Sequence, residues 1–166
     1  EVDCFTLFAN SAFTGYNADG TTEASAGAAL TLAGILTAQQ LLLENNVPSE
    51  DVCLYIPPSQ RTVLMQITGL TSRDFVDSKP ISTGKLTNFL GMDVYVTNNC
   101  PSYTVTTSKV NCIISHRDAI AIAEQVSPTT RSQYELRKKS WLVSTDVIYG
   151  VARFRTTNAV RLRLNV

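Results

Sequence analysis

The sequence is short of charge and of long apolar runs. Only 17% of its 166 residues are charged, while 44% are hydrophobic; an average soluble domain has about 25% charged residues. The longest weakly polar run, residues 26–38, is broken by Thr31 and Thr37, and a membrane span needs about 20 apolar residues. We therefore expect no membrane partner and one domain, whose low charge favours burial of surface against other proteins.

Basic residues are missing from the first 60 positions. That stretch carries a net charge of −7, whereas residues 61–166 hold all 14 Lys and Arg residues and have a net charge of +7. Because the whole chain is neutral, its charge argues against a protein that coats nucleic acid. The opposed halves favour head-to-tail association of copies, or they neutralise each other within one fold.

Closely spaced metal-ligand pairs are also missing. Cys4, Cys53, Cys100 and Cys112 form no CxxC pair and have no neighbouring His, so a zinc site is not expected. The disulfide framework of a small secreted protein would be denser. We predict reduced, mostly buried thiols, no cofactor and no metal, and synthesis inside a cell.

His116 is the single histidine, so any histidine-based catalysis depends on it. Cys112 or Cys100 could pair with it as a nucleophile, since a thiol needs a nearby base. Cys112, however, lies on the apolar side of a predicted strand, which favours packing. No second carboxylate has a strand or helix spacing beside Asp93. No catalytic centre is expected, and a soluble Cys–His hydrolase is kept as an alternative.

The hydrophobic periodicity predicts an α+β fold. Helices are expected at 1–13, as the end of a longer helix, at 32–44 with Thr31 as its cap, at 59–67 and at 117–125. Strands are expected at 52–56, 92–97 and 109–115, followed by one long strand from Arg131 onward and a terminal strand pair at 153–155 and 161–164. Residues 14–27 and 70–91 are predicted to be connections. On the long strand, alternation places six residues on one face: Trp141, Val143, Thr145, Val147, Tyr149 and Val151.

The terminal strands are rich in arginine. Alternation places Arg153 and Arg155 on one face of their strand, and it places Arg161 and Arg163 on one face of theirs. Phe154, Leu162 and Leu164 are then expected to face inward. Guanidinium groups in such rows bind phosphates or acidic neighbours. An ordinary solvated strand face is the other interpretation.

The order of these elements resembles a tailed-phage major capsid protein of the Hong Kong 97 type. The matching segments cover nearly the whole chain, and each is a loose pattern whose specificity lies in the order. The segments are 7–14, similar to the end of the family's spine helix; 28–31 and 46–48, around the second helix; 52–58, a strand and proline corner; 85–99, a glycine-led strand; and 141–166, the last strands. The amino-terminal arm, the extended loop and most of the spine helix have no counterpart here, and Glu1 could be a processed terminus or the start of an excerpt.

The resemblance implies a Hong Kong 97 phage-type capsid fold in three parts. Residues 1–28 would be the end of the spine helix and a connecting loop, 29–130 the axial domain, and 131–166 the strands of the peripheral domain. It also implies a structural protein, not an enzyme, which is made in the host cytoplasm and resides in the virion capsid. Its partners would be further copies in pentamers and hexamers, portal, scaffold or decoration proteins, and the packaged double-stranded DNA. An encapsulin-type compartment shell is the nearer alternative.

Overall fold

A computed structural model describes residues 2–8, 13–21, 28–66, 88–104 and 108–165. The helices of this part are α1 (Val2–Phe8), α2 (Leu32–Glu44) and α3 (Pro58–Gln66). The strands are β1 (Thr14–Asn17), β2 (Val52–Ile56), β3 (Asn88–Phe89), β4 (Met92–Val96), β5 (Ser102–Thr104), β6 (Ser108–His116), β7 (Ile120–Glu135), β8 (Ser140–Arg153) and β9 (Ala159–Arg163). Most of the predicted connection at 70–91 lies outside the described residues.

The strands form one mixed sheet and one separate hairpin. The sheet order is β1-β9-β6-β2-β4-β3, with β5 added to β6, and β7 pairs only with β8 among the described strands. The pairs β1–β9 and β2–β4 are parallel, and the other pairs of the sheet are antiparallel. The hairpin therefore leaves the body of the fold after the 3-10 turn at Arg117–Ala119 and returns to it before β9.

The main core lies between one face of the sheet and helices α2 and α3. Its buried side chains include Ile35 of α2, Leu54 of β2, Leu64 of α3 and Leu162 of β9. Helix α2 begins where predicted, because the Thr31 hydroxyl accepts a hydrogen bond of 3.1 Å from the Gly34 amide. It ends before Asn46, whose φ of 57° is left-handed and stops the helix.

The opposite face of the sheet is covered in part by α1. Phe5 and Phe8 of this helix pack with Phe13, Ile113 and Ala159 in a second buried cluster. Phe5 of this helix also meets Tyr55 of β2, and among the described residues the β2–β4 side of this face lies open beside it. That uncovered area forms the groove described below.

Several predicted elements differ from the structure. The long strand expected from Arg131 onward is interrupted by a turn at residues 136–139, because the chain reverses there to pair β8 with β7. Residues 117–125 are a 3-10 turn followed by the start of β7, not a helix. The expected terminal strand pair also does not form, because β9 pairs with β1 and β6 while β8 pairs with β7. In addition, residues 14–17 of the predicted loop form β1.

The predicted division at residues 130 and 131 falls inside β7, and β9 lies in the same sheet as β2. The ends of the hairpin, at residues 120 and 153, are the points where the chain leaves and rejoins the sheet. The assignment of axial and peripheral domains stays a prediction.

Candidate inter-subunit surfaces

The β7–β8 hairpin exposes an apolar face. The register pairs Tyr134 with Trp141, and their rings meet edge to face with centroids 5.4 Å apart. Because side chains alternate along a strand, the predicted row on β8 does share one face. We call the large side chains of that face the apolar ladder: Ile122, Tyr134, Trp141, Val143, Val147 and Tyr149, all exposed. An isolated two-stranded hairpin is marginally stable in water, and exposed apolar patches of this kind mark contact sites.

The connection between the two strands, residues 136–139, is both apolar and basic. We call it the hairpin tip. Leu136 is 81% exposed, the most exposed large apolar side chain of the described residues, and it is followed by Arg137, Lys138 and Lys139. Lys138 lies 3.6 Å from Glu135, while Lys139 adopts a left-handed φ of 49° that closes the turn. The tip thus presents net positive charge around one exposed leucine.

A groove of about 630 Å³ lies between α1, the open side of the sheet and the base of the hairpin. We call it the α1 groove. It is lined by Cys4, Phe5 and Phe8 of α1; Asp51, Cys53 and Tyr55 at β2; Asp93 and Tyr95 of β4; Ser115, His116, Arg117 and Ala119 after β6; and Ile120 and Ile122 of β7. Since Ile122 also belongs to the apolar ladder, the groove and the ladder form one continuous surface.

Aromatic rings form much of the groove wall. Tyr55 and Tyr95 stack with centroids 5.7 Å apart at an angle of 22°, and Phe5 meets Tyr55 edge to face. Burial raises the pKa of the Tyr55 phenol to about 12, and burial also raises the pKa of the neighbouring Cys53 thiol. Both groups are therefore neutral at physiological pH, and the wall they form is apolar.

Carboxylates line the rim of the groove. The Arg117 guanidinium lies 3.5 Å from the Asp51 carboxylate, and both side chains are well exposed, so this pair contributes little to stability. Asp93 is exposed on β4, opposite Cys53 in the parallel register. On α1, the Asp3 carboxylate accepts a hydrogen bond from the Tyr149 hydroxyl of β8, which ties the hairpin to the helix. Among the groove-lining residues, the carboxylates of Asp51 and Asp93 face the guanidinium of Arg117, so the lining is weakly acidic.

The four candidate arginines separate into exposed and buried residues. Arg153 and Arg155 are exposed, and the Arg155 guanidinium lies 5.6 Å from the Phe154 ring centroid. Arg161 is only 4% exposed, and Arg163 is half-buried. The predicted inward position is confirmed for Leu162 and Leu164, which are buried in the main core. It is wrong for Phe154, which is 65% exposed because β8 ends at Arg153 and the chain turns there. The arginine face is covered too, since β9 is an interior strand flanked by β1 and β6 and packed beneath α1.

The Cys–His alternative has no support in the geometry. Cys112 is fully buried, and burial raises its pKa well above the usual thiol value. His116 lies four residues further along β6, about 13 Å at the usual strand rise, too far for proton transfer. The His116 Nδ1 instead accepts a hydrogen bond of 3.1 Å from the Asp118 amide and caps the 3-10 turn. Burial likewise raises the pKa of Cys100, to about 12.

The described residues contain no cluster of three or more His, Cys, Asp or Glu side chains able to hold a metal ion. In the same part of the chain, none of the helices has the length and apolarity needed to traverse a bilayer. The surfaces with unusual chemistry are therefore the hairpin and the groove. Sequence reasoning predicted the β8 row of the ladder, but it placed Ile122 in a helix and missed the groove. The one available signal for the tip was Leu136 beside three consecutive bases.

The mixed sheet, its helices and the protruding hairpin have counterparts among solved phage structures. A structure from Mycobacterium phage Che8 is 19% identical with a TM-score of 0.71, and the match covers 97% of this chain and 58% of the Che8 chain. The capsid structure of cyanophage P-SCSP1u is 17% identical with a TM-score of 0.71, covering 98% and 59%. The mature capsid of bacteriophage PhiM1 is 14% identical with a TM-score of 0.64, and the match covers 92% of this chain and 50% of the PhiM1 chain. The chain therefore has the α+β capsid fold of the Hong Kong 97 type, and it spans half to three-fifths of these chains.

A family model described as phage capsid protein matches residues 5–166. The chain belongs to the phage capsid protein family, so the resemblance inferred from the order of its elements is confirmed. None of the proteins with curated functions matches the chain significantly. Membership identifies a structural protein, and nothing in these comparisons favours an encapsulin or a hydrolase.

Proposed function

We propose that the chain is the major capsid subunit of a tailed phage. Copies assemble into pentamers and hexamers of an icosahedral shell that encloses double-stranded DNA. The observation that carries the proposal is the family match over residues 5–166. The exposed apolar ladder supports it, because exposed apolar patches of this kind mark surfaces that contact other proteins.

The proposal extends to the parts of the subunit. The helices and the sheet form an axial domain around the five-fold and six-fold centres, and the hairpin of residues 120–153 forms the core of a peripheral domain. The element order favours these limits over a boundary at residue 130, since β9 returns to the sheet. The protein is made in the host cytoplasm and resides in the virion, where portal, scaffold and decoration proteins are its further partners.

Arg153 and Arg155 are proposed to contact packaged DNA or acidic neighbours, because both guanidinium groups are exposed at the end of the hairpin. Arg161 is buried and Arg163 is half-buried, so their proposed contribution to that contact is indirect. The double variant Arg153→Ser/Arg155→Ser separates the two uses, with Arg131→Ser on the hairpin as the control. Normal assembly with a less stable packaged genome supports DNA contact, whereas weak assembly supports contact with a neighbour.

Negative-stain electron microscopy with mass measurement in solution tests the main proposal. Closed shells, or rings of five or six subunits, are the expected result for the intact protein. A stable monomer at high concentration would contradict it. Nucleic acid content decides between a viral shell and a compartment shell, since particles that enclose protein cargo and no genome would indicate an encapsulin.

A further inference from the structure

We infer that the hairpin tip of one copy docks into the α1 groove of a second copy of this chain. The inference rests on the proposed function and names the two surfaces that join neighbouring subunits. It also assigns a role to Leu136 and to the bases that follow it, of which only Lys138 has an ion pair, with Glu135, in the described part of the chain.

The tip and the groove of one copy cannot meet each other. Ile120 lines the groove, and β7 runs from there to Glu135 next to the tip. Sixteen residues of strand separate the two sites by about 50 Å at the usual rise per residue. The hairpin is held at its base, where Tyr149 donates to Asp3 and the Phe154 amide donates to the Ala119 carbonyl at 3.0 Å. A tip that docks in an α1 groove therefore belongs to a second copy.

The apolar parts of the two surfaces complement each other. Leu136 is 81% exposed and Trp141, close to the tip, is 70% exposed. The groove offers the Tyr55–Tyr95 stack and the rings of α1 as an apolar wall, in a volume of about 630 Å³. A protruding aromatic or aliphatic anchor that fills a pocket is the usual centre of a protein interface. Docking would remove the most exposed leucine of the described residues from water.

The charges complement each other as well. Arg137, Lys138 and Lys139 approach a rim that carries Asp51 and Asp93. Asp51 is already paired with Arg117, but this exposed pair at 3.5 Å is readily exchanged for a pair with a neighbour's base. The Tyr95 ring, which is half-exposed, also accepts a cation over its face.

The contact joins two unlike surfaces, so it is heterologous. A heterologous contact generates a ring or a shell when its rotation closes. Each copy would offer one tip and one groove, and the tip of each copy would dock in the groove of the next. This arrangement differs from one in which tips meet other tips.

Cysteine cross-linking tests the docking directly, because the groove already holds Cys4 and Cys53. The variant Leu136→Cys is oxidised with copper phenanthroline and separated on a non-reducing gel. We expect covalent multimers, with a loss of at least about tenfold in their yield when Cys4→Ser and Cys53→Ser are added. Cys100 and Cys112 are buried and do not compete. Multimers that persist without Cys4 and Cys53 would mean that tips meet each other, which would overturn the inference.

Charge reversal supplies an independent test. Asp93→Lys alone and Lys138→Glu alone should each slow assembly by about tenfold, because complementary charges steer association. One chain that carries both changes should recover, since each altered tip then meets an altered groove. Arg131 and Asp146 lie on the face of the hairpin opposite the apolar ladder. The control variants Arg131→Glu and Asp146→Lys should therefore change the rate of assembly less than about twofold.

The outcomes separate this inference from the proposed function. Shells that form without any cross-link to Cys4 or Cys53, or a double reversal that does not recover, leave the capsid proposal intact and refute the docking. Failure of the unaltered protein to assemble in any form refutes the capsid proposal. A cross-link to Cys4 or Cys53 would in that case still show docking between two copies, and its absence would refute the docking.

Discussion

Replacing Gly34 with alanine is expected to destabilise the fold, although alanine is the better helix former. A Cβ atom at this position would lie 2.0 Å from the carbonyl oxygen of Ala18 and 2.6 Å from its carbonyl carbon. The Ala18 carbonyl cannot move freely, because it accepts a hydrogen bond of 3.1 Å from the Thr31 amide. Since carbon atoms pack at about 3.5–4.0 Å, α2 and the turn after β1 must separate by about 1 Å.

The net effect follows from two opposing contributions. Overpacking costs typically 1–3 kcal/mol, and contact with backbone places Gly34→Ala at about 3 kcal/mol. The higher helix propensity of alanine returns about 1 kcal/mol, so the free energy of unfolding should fall by about 2 kcal/mol. Urea unfolding followed by circular dichroism measures this change, and a slope of about 2 kcal/mol/M gives a midpoint lower by about 1 M.

Gly150→Ala is the matched control. An added Cβ at Gly150 has no atom within 4 Å, and the residue lies in a strand. We expect this variant to stay within about 0.5 kcal/mol of the unaltered protein. A Gly34→Ala midpoint equal to or above that of the unaltered protein would refute the reasoning, because it would mean that α2 does not approach Ala18 closely.

Three further predictions concern the core and the caps. Thr31→Ala removes the hydroxyl that caps α2 and should cost about 1 kcal/mol in urea unfolding, whereas Thr31→Ser should restore most of it. Leu54→Ala leaves a cavity beneath α2 and should cost about 2–5 kcal/mol, and a smaller loss would mean that the core collapses around the gap. Burial raises the pKa of Cys100 to about 12 from 9.0, so the folded thiol holds its proton more tightly than the unfolded one. The buried thiol therefore contributes its full share to the free energy of unfolding below pH 9.0, and this share is lost as the pH rises toward 12. A free energy of unfolding that does not change between pH 9.0 and 12 would contradict the burial of Cys100.

Local patterns predicted the elements whose signals are complete within a few residues. Helix α2 has its cap at Thr31 and its stop at Asn46, and β2 alternates buried and half-buried residues. The error at 117–125 arose because Ala119, Ile120, Ile122 and Ala123 fit helical spacing, whereas cross-strand pairing with β8 makes this segment a strand. Pairing is a tertiary interaction, and it overrides local preference.

The groove illustrates what a single sequence leaves undetermined. Its residues come from α1, β2, β4 and the base of the hairpin, and none of them is unusual for its position in the sequence. Asp93 and Cys53 become neighbours only through the parallel register of β2 and β4. The arginines of β9 show the same effect, because alternation fixes which residues share a face but not whether a short helix covers that face.

The position of β9 sets the order in which the chain can fold during synthesis. Among the described strands, β1 pairs only with β9, and β9 also joins β1 to β6. Strand β1 therefore cannot form this pairing until residues 159–163 have left the ribosome, more than 140 residues later. A nascent or truncated chain exposes the edge of β6 and the face beneath α1 in place of a finished subunit.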